Sequence, residues 1–360
     1  MGNIYPNRPT ASTRRTTLKR AMPSSLERRD GKMTANHRFR VWTFGVMMAA
    51  ISLLLETCGW PRQGVTPSAV SSPPQAYGDL KSLNQIPRPM TLTRRGHNVA
   101  IHMYTEETEV SIAPGVHFPA WTFDGTVPGP VIDLRQGDRV TLTVKNLDPR
   151  MPHAIDLHAA MVAPNQNFTP VLPGQSKTLY FTANKPGVFL YHCESNPMPM
   201  HMAQGMYGAV IVTPLGQKPP LYTLVQSEFY RPDSLESVLN TRPRYVVFNG
   251  MANRYQTRRL PVPVGTPFTI AFVNAGPNDF AAFHVVGTVL RDVEASGDPR
   301  NNLYDVQTYS VAPGDACLIH LKFQQPGDYA FVSHAMNQFG KGAYGIFAAG
   351  TTPFGHLVHS

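Results

Sequence analysis

Short stretches in which apolar and polar residues alternate run along most of the chain, and none of them has a clear helical period. In RVTLTVKN (139–146), Val140, Leu142 and Val144 share one face, while threonines and a lysine occupy the other. The segments TLYFTA, PFTIAFVN and CLIHLKF alternate in the same way, with turn-forming residues between them. Alternation with a period of two is typical of β-strands with one buried face. The pattern therefore predicts an all-β protein built from sandwiches or barrels.

This strand pattern occurs twice. The segment LPGQSKTLYFTANKPGVFLYHC (172–193) matches APGDACLIHLKFQQPGDYAFVS (312–333), and in both copies the two Pro-Gly pairs are thirteen residues apart. An internal duplication of this length predicts two similar β-domains in tandem. We place them at residues 95–215 and 216–355.

The region before these domains has a different composition. An uncharged apolar run from Val41 to Leu55 follows two arginines; it is short for a membrane span and has the length of the apolar part of an export signal. Residues 1–60 are therefore expected to be an N-terminal extension with an export signal or, because Cys58 follows the run, a lipoprotein signal. Residues 61–94, rich in proline and serine, predict an extended tether. The expected location is the periplasm, either free or anchored to a membrane as a lipoprotein or by an uncleaved signal.

The net charge of +9 does not indicate a nucleic-acid-binding protein. Residues 1–60 contain ten Lys/Arg and three Asp/Glu residues, a surplus of seven, which leaves only +2 for residues 61–360. A surface that follows a phosphate backbone needs a basic patch in the folded region. We therefore expect no nucleic-acid partner.

The loop after the strand VFLYHC concentrates soft metal ligands. Cys193, His201 and Met206 follow one another with the spacing C-x7-H-x4-M, and His153 in MPHAIDLHAA supplies a remote histidine. A thiolate and two imidazoles in a plane, with a weak axial methionine, are the ligands of a blue-type copper site. The loop contains three further methionines, so it is alternatively just a methionine-rich segment; those methionines can also form an apolar docking surface. The spacing after a strand favours copper.

A second group of histidines predicts a second site. Successive side chains on a strand face opposite sides, so His192 cannot easily bind the same ion as Cys193. His192 and His158, together with His334, make a three-imidazole site with an open fourth position, the usual form of a catalytic metal centre. In the second copy of the repeat, Ser333 replaces the cysteine and His334 lies two positions from the place that corresponds to His192.

On these motifs the chain resembles the copper-containing nitrite reductases of the two-domain cupredoxin type. The resemblance covers about residues 95–350, and it is carried by WTFDGTVPGPVIDLRQGD, MPHAIDLHAA, YHC…MHMAQGMYGAVIV, YVVFNG, AFHVVG and FVSHAMNQFGKGAYG. It implies two tandem cupredoxin-like Greek-key domains, with two copper ions per subunit as cofactors. It further implies reduction of nitrite to nitric oxide and water at a type 2 copper, which receives its electron from a type 1 copper supplied by a small redox donor (a cupredoxin or a cytochrome c).

The resemblance also implies roles for individual residues. Asp156 and His284 match the catalytic pair of the family and are expected to deliver protons. Members of the family are homotrimers with the catalytic metal at the subunit interface. The implied copper ligands are, for type 1, His153, Cys193, His201 and Met206, and, for type 2, His158, His192 and His334 of the partner subunit.

Two other functions compete with this one. A laccase-like multicopper oxidase builds its trinuclear cluster from His-x-His pairs, and no His-x-His occurs in the 360 residues. A cupredoxin-type electron-transfer or copper-binding protein needs no second site. The presence of three candidate imidazoles and of both proton-handling residues disfavours that alternative.

Overall fold

A computed structural model of the chain describes residues 87–350. The expected export signal, residues 61–86 of the expected tether and residues 351–360 lie outside the described residues. The strands of the first half are β1 (Leu92–Arg95), β2 (Asn98–Ala113), β3 (Val116–Phe123), β4 (Ile132–Arg135), β5 (Arg139–Asn146), β6 (Asp156–Leu157), β7 (Ser176–Thr182), β8 (Gly187–His192) and β9 (Tyr207–Thr213). Those of the second half are β10 (Tyr222–Phe229), β11 (Tyr245–Phe248), β12 (Arg258–Pro263), β13 (Phe268–Gly276), β14 (Ala281–Val285), β15 (Leu290–Ala295), β16 (Asn302–Val306), β17 (Thr308–Val311), β18 (Ala316–Leu321), β19 (Gly327–Ser333) and β20 (Tyr344–Gly350).

The helices within residues 87–350 are all short. They are α1 (Pro164–Asn167), α2 (Met198–Ala203), α3 (Leu235–Leu239), α4 (Arg254–Thr257) and α5 (Met336–Phe339). In this part of the chain, no helix combines the length and the apolar character that crossing a bilayer requires.

The two halves of the chain repeat one sheet topology. In the first half, β1-β2-β5-β7 form one sheet, with β3 paired to β2, and β4-β9-β8-β6 form the other. In the second half, the sheets have the orders β11-β10-β13-β18-β15-β16 and β12-β20-β19-β14-β17. The parallel pair β2·β5 corresponds to β10·β13, and β4·β9 corresponds to β12·β20. The expectation of an all-β fold with tandem cupredoxin-like domains is confirmed, whereas the boundaries 95–215 and 216–355 stay a prediction.

Burial follows the predicted alternation in some strands only. In β5, Val140, Leu142 and Val144 are buried and contribute to the core of the first half, as predicted. In β13, both faces are buried. Phe272 enters the core of the second half, while Ala271 on the opposite face belongs to a cluster with residues of β8 and β9. The second face of β13, which the alternation predicted to be polar, is buried because the two halves pack against each other there.

The second copy of the repeat keeps the shape of the ligand loop without its ligands. Ser333 is fully buried, and its hydroxyl donates a hydrogen bond of 2.6 Å to Oε1 of Gln338, which lies on the short helix α5. The amide of Gln338 donates in turn to the carbonyl of Phe280. A hydrogen-bonded pair of neutral side chains thus occupies the place where the first half has a cysteine and a histidine.

Candidate metal centres

Three of the predicted ligands meet at the end of β8. Cys193 follows that strand directly, His201 lies on α2, and His153 is held by paired backbone hydrogen bonds to Val171. The Cys193 Sγ lies 3.3 Å from Nδ1 of His201 and 4.0 Å from Nδ1 of His153, and the two Nδ1 atoms are 3.2 Å apart. All three side chains are fully buried. One sulfur and two nitrogen atoms therefore point at a common volume, closed to water.

Met206 is held beside this group by the backbone. Its carbonyl accepts a hydrogen bond of 3.1 Å from the N–H of Cys193, and its own N–H donates one of 3.1 Å to the carbonyl of His201. The Met206 side chain is fully buried in the core of the first half. The eight-residue step from cysteine to histidine and the five-residue step to methionine thus lie within one compact loop.

The protonation states of these side chains suit a soft metal cation. Burial raises the pKa of the Cys193 thiol, and the backbone N–H of Ala154 points at the sulfur from 3.4 Å. Burial, followed by the neighbouring His153, lowers the pKa of His201 to about 4, and burial also lowers that of His153. Both imidazoles are therefore neutral at neutral pH and keep a lone pair for a metal, while thiolate formation requires a bound cation. This donor set fits a copper ion.

The second predicted group lies on the other side of the same strand. Asp156, on β6, pairs with His192 on β8, and the rings of His158 and His192 are 5.3 Å apart, nearly perpendicular. Oδ2 of Asp156 lies 3.8 Å from Nε2 of His192 and 4.0 Å from Nε2 of His158. The His192 side chain is 7% exposed and that of His158 is 34% exposed. This group is therefore open to the surface, in contrast to the first.

His192 is oriented by the neighbouring cysteine. Its Nδ1–H donates a hydrogen bond of 3.0 Å to the carbonyl of Cys193, which leaves the lone pair of Nε2 facing Asp156 and His158. Burial and the neighbouring His192 lower the pKa of His158, which favours the neutral form of its ring. Two imidazoles with a carboxylate alongside suit a metal ion with an open position.

The remaining predicted residues form a third group on the second half of the chain. The rings of His284, on β14, and His334, just after β19, are 5.1 Å apart. The backbone of His334 donates to the carbonyl of Ala282, and Nδ1–H of His284 donates a hydrogen bond of 2.7 Å to the carbonyl of Gln307. His334 is exposed. Within residues 87–350, neither histidine joins a cluster of three potential metal ligands.

Two neighbours of the buried site were missed by sequence reasoning. Asp148 is fully buried, and its Oδ2 lies 2.9 Å from Nε2 of His153. Burial acts to raise the pKa of this carboxyl, but hydrogen bonds from the backbone of Arg150 and from His153 outweigh it and hold the pKa below its usual value. The Trp121 ring lies 4.7 Å from that of His201. Aspartate in a turn and tryptophan in a strand carry no ligand signal, so only the folded geometry identifies them.

Of the three methionines around His201 that the sequence left open as a docking surface, Met198 is partly exposed and the other two are buried. Met200 is 8% exposed and Met202 is 7% exposed. Met200 packs with Tyr230 and Val238, because α3 and the segment before it cover α2. His320, on β18, lies outside these groups, and its Nε2 is 2.9 Å from Oε1 of Glu294.

Comparison with known proteins gives consistent similarities. Residues 104–217 match the multicopper oxidase family. A copper-containing nitrite reductase of Neisseria meningitidis serogroup B is 33% identical over 264 residues, which are 69% of this chain and 67% of that protein. A copper-containing nitrite reductase of Pseudomonas chlororaphis is 31% identical over 66% of this chain and 74% of that protein. The solved copper nitrite reductase of Nitrosomonas europaea is 36% identical over 70% of this chain and 94% of that chain, with a TM-score of 0.68.

Proposed function

The chain belongs to the copper-containing nitrite reductases, and from this premise we propose that it reduces nitrite to nitric oxide and water with two different copper sites. One observation carries the proposal. Two ligand groups of different chemistry lie on opposite sides of β8, one buried around a thiol and one half-exposed around two imidazoles. They meet at the adjacent residues His192 and Cys193. An enzyme that accepts electrons at one metal and binds a small anion at another needs this separation.

The buried group is the proposed type 1 site, with His153, Cys193, His201 and Met206 as ligands. Copper bound there supplies a one-electron relay. The chain excludes water from the ligands and fixes them through the backbone bonds of the loop. A rigid, dry ligand set changes little between oxidation states, which keeps electron transfer fast.

The half-exposed group is the proposed type 2 site, and the link to it is short. His192 and Cys193 share a peptide bond, and the His192 ring also donates to the Cys193 carbonyl. Each site therefore contacts the other through covalent bonds and through one hydrogen bond. This double connection is the proposed route for the electron.

The type 2 site is incomplete in one chain, and we propose that a homotrimer completes it. His334 is exposed and lies apart from His158 and His192. Exposed apolar side chains accompany it, since Phe280 is 63% and Met336 is 58% exposed. Apolar side chains around an exposed ligand are typical of a surface that a partner covers. Because the His284 ring is 5.1 Å from that of His334, a subunit that contributes one contributes both.

The proposed reaction takes one electron and two protons per nitrite, and the chain has groups to supply the protons. A copper ion held by the imidazoles of the second site would supply a Lewis acid for nitrite. Asp156 faces the same volume as both imidazoles and, when protonated, can give its proton to the oxygen atom that leaves as water. Nδ1–H of His284 is fixed on Gln307, which leaves its Nε2 to hold and pass the second proton.

The test is a nitrite assay on the copper-loaded chain, supplied with a reduced artificial donor. We expect nitric oxide at an electrode, two coppers per chain, two distinct copper signals in electron paramagnetic resonance, and a trimer by light scattering. One copper per chain without nitric oxide would instead indicate an electron carrier. Oxygen consumption without nitrite turnover would indicate a laccase-like oxidase.

We also propose that the chain is exported to the periplasm and receives electrons there from a cupredoxin or a cytochrome c. The basic and apolar pattern of residues 38–55 supports export. Cell fractionation of the full chain tests the location, and a Cys58→Ser variant separates a lipid anchor from an uncleaved signal: only a lipoprotein incorporates labelled fatty acid, and it no longer does so when the cysteine is lost.

A further inference from the structure

A buried carboxylate stands behind one of the proposed copper ligands. Asp148 lies in the turn after β5 and is fully buried. Its Oδ1 accepts hydrogen bonds from the backbone N–H groups of Arg150, at 2.7 Å, and Met151, at 3.0 Å. Its own N–H donates to Oδ1 of Asn146. These bonds leave Oδ2 free, and that oxygen lies 2.9 Å from Nε2 of His153. The turn thus fixes the carboxylate before any metal binds.

The contact determines which nitrogen of His153 is protonated. A carboxylate can only accept, so the proton must be on Nε2, and Nδ1 keeps its lone pair. Nδ1 is the atom that faces Cys193 and His201, at 4.0 and 3.2 Å. Asp148 therefore holds the ring in the tautomer and orientation that a metal in this volume requires.

No salt bridge joins Asp148 to Arg150, two positions further along the chain. The guanidinium of Arg150 is engaged with both oxygens of Glu107, at 2.5 and 2.6 Å, and is largely exposed. Within the protein, where the dielectric constant is low, a buried anion bonded to an imidazole makes that imidazole a stronger donor. A stronger donor favours the oxidised, more highly charged metal.

We propose that Asp148 is a positioning residue for the type 1 copper, which orients His153 and lowers the reduction potential of that copper. The inference rests on the proposed function, because it takes His153 as a type 1 ligand. It adds a residue outside the ligand set that adjusts the driving force for electron transfer from type 1 to type 2. A lower type 1 potential makes transfer to the second site more favourable and reduction by the donor less favourable.

The test compares three variants of the full, copper-loaded chain. In Asp148→Asn, the side chain has no charge and cannot accept from both the turn and His153. In Asp148→Ser, the hydroxyl can still accept from the turn but does not reach the imidazole. Glu107→Gln is the matched control, because it removes one nearby carboxylate charge that has no hydrogen bond to His153.

The readouts are the type 1 potential, from redox titration of its visible absorption, and the copper affinity, from competition with a chelator. We expect both Asp148 variants to shift the potential to more positive values and to lower Cu(II) affinity about 10–100-fold, and Glu107→Gln to change both much less. If Asp148→Asn does not fold, Asp148→Ser decides the matter. Values equal to those of the unmodified chain, or an equal shift in Glu107→Gln, would overturn the inference. A type 1 signal missing from the unmodified chain would overturn the proposed ligand set instead.

Discussion

The buried carboxyl of Glu228 is expected to make the stability of the copper-free chain depend on pH. It lies on β10 and is 1% exposed. Its Oε1 accepts from the backbone N–H of Asp279 at 2.8 Å, and Oε2 accepts from the hydroxyl of Tyr230. The Asn278 N–H also points at the carboxylate. Glu228 thereby ties down the start of β14, the strand that carries His284.

The size of this effect on the free energy of unfolding follows from the pKa of Glu228. Burial raises the pKa of Glu228 from 4.5 to about 7, despite the hydrogen bonds that it accepts. The folded chain therefore binds this proton more tightly than the unfolded chain. The contribution of Glu228 to the free energy of unfolding is fully present below pH 4.5 and is lost as the pH rises to about 7. A difference of this size corresponds to about 3 kcal/mol.

The assay compares urea unfolding of the copper-free chain with that of Glu228→Gln, from about pH 5 to about pH 8. Glutamine resembles the protonated acid, so the variant does not lose stability through this group. We expect the variant to become more stable than the unmodified chain as the pH rises, by most of those 3 kcal/mol. Buried histidines with lowered pKa values act in the opposite direction, but they are the same in both chains and cancel. A stability difference that does not change with pH would show that Glu228 does not titrate in this range.

Three further predictions concern the two sites and the buried thiol of Cys317. Asp156→Asn should keep both coppers and the trimer while nitric oxide production at the electrode falls about 10²–10⁴-fold; unchanged turnover would remove Asp156 as a proton donor. His334→Ala should lose the type 2 paramagnetic signal and keep the type 1 absorption, and retention of both signals would place the third ligand elsewhere. Cys317→Ser should lower the free energy of unfolding by about 1–3 kcal/mol, because a hydroxyl replaces a fully buried thiol, without changing the copper content. Cys193→Ser should instead abolish the type 1 absorption. A loss of copper in both serine variants would contradict the assignment of Cys193 as a ligand and Cys317 as a core residue.

The local parts of the fold could be predicted from the sequence. Alternation in β5 indicates its buried face, and the repeat indicates that two halves share one topology. The spacing of Cys193, His201 and Met206 also indicates a shared metal ion, because all three ligands lie on one short loop. These features depend on neighbours in the chain, which the sequence shows directly.

Features that depend on distant contacts could not be predicted in this way. The burial of both faces of β13 requires knowing that the halves pack together there. The contact of Asp148 with His153 depends on how a turn of six residues folds, and nothing in NLDPRM marks the aspartate as a partner of histidine. The proximity of His284 to His334, fifty residues later, follows from the pairing of β14 with β19.

The most direct test of the proposed function mixes two inactive chains. His158→Ala removes a ligand on the first half, and His334→Ala removes one on the second half, so neither homotrimer has an intact type 2 site. If the site is shared between neighbouring subunits, an equal, randomly assembled mixture restores about one quarter of the sites, and nitric oxide production should return to about that fraction of the unmodified rate. If the mixture stays inactive although mixed trimers form, or if either variant is active alone, nitrite is not reduced at a site built from two chains.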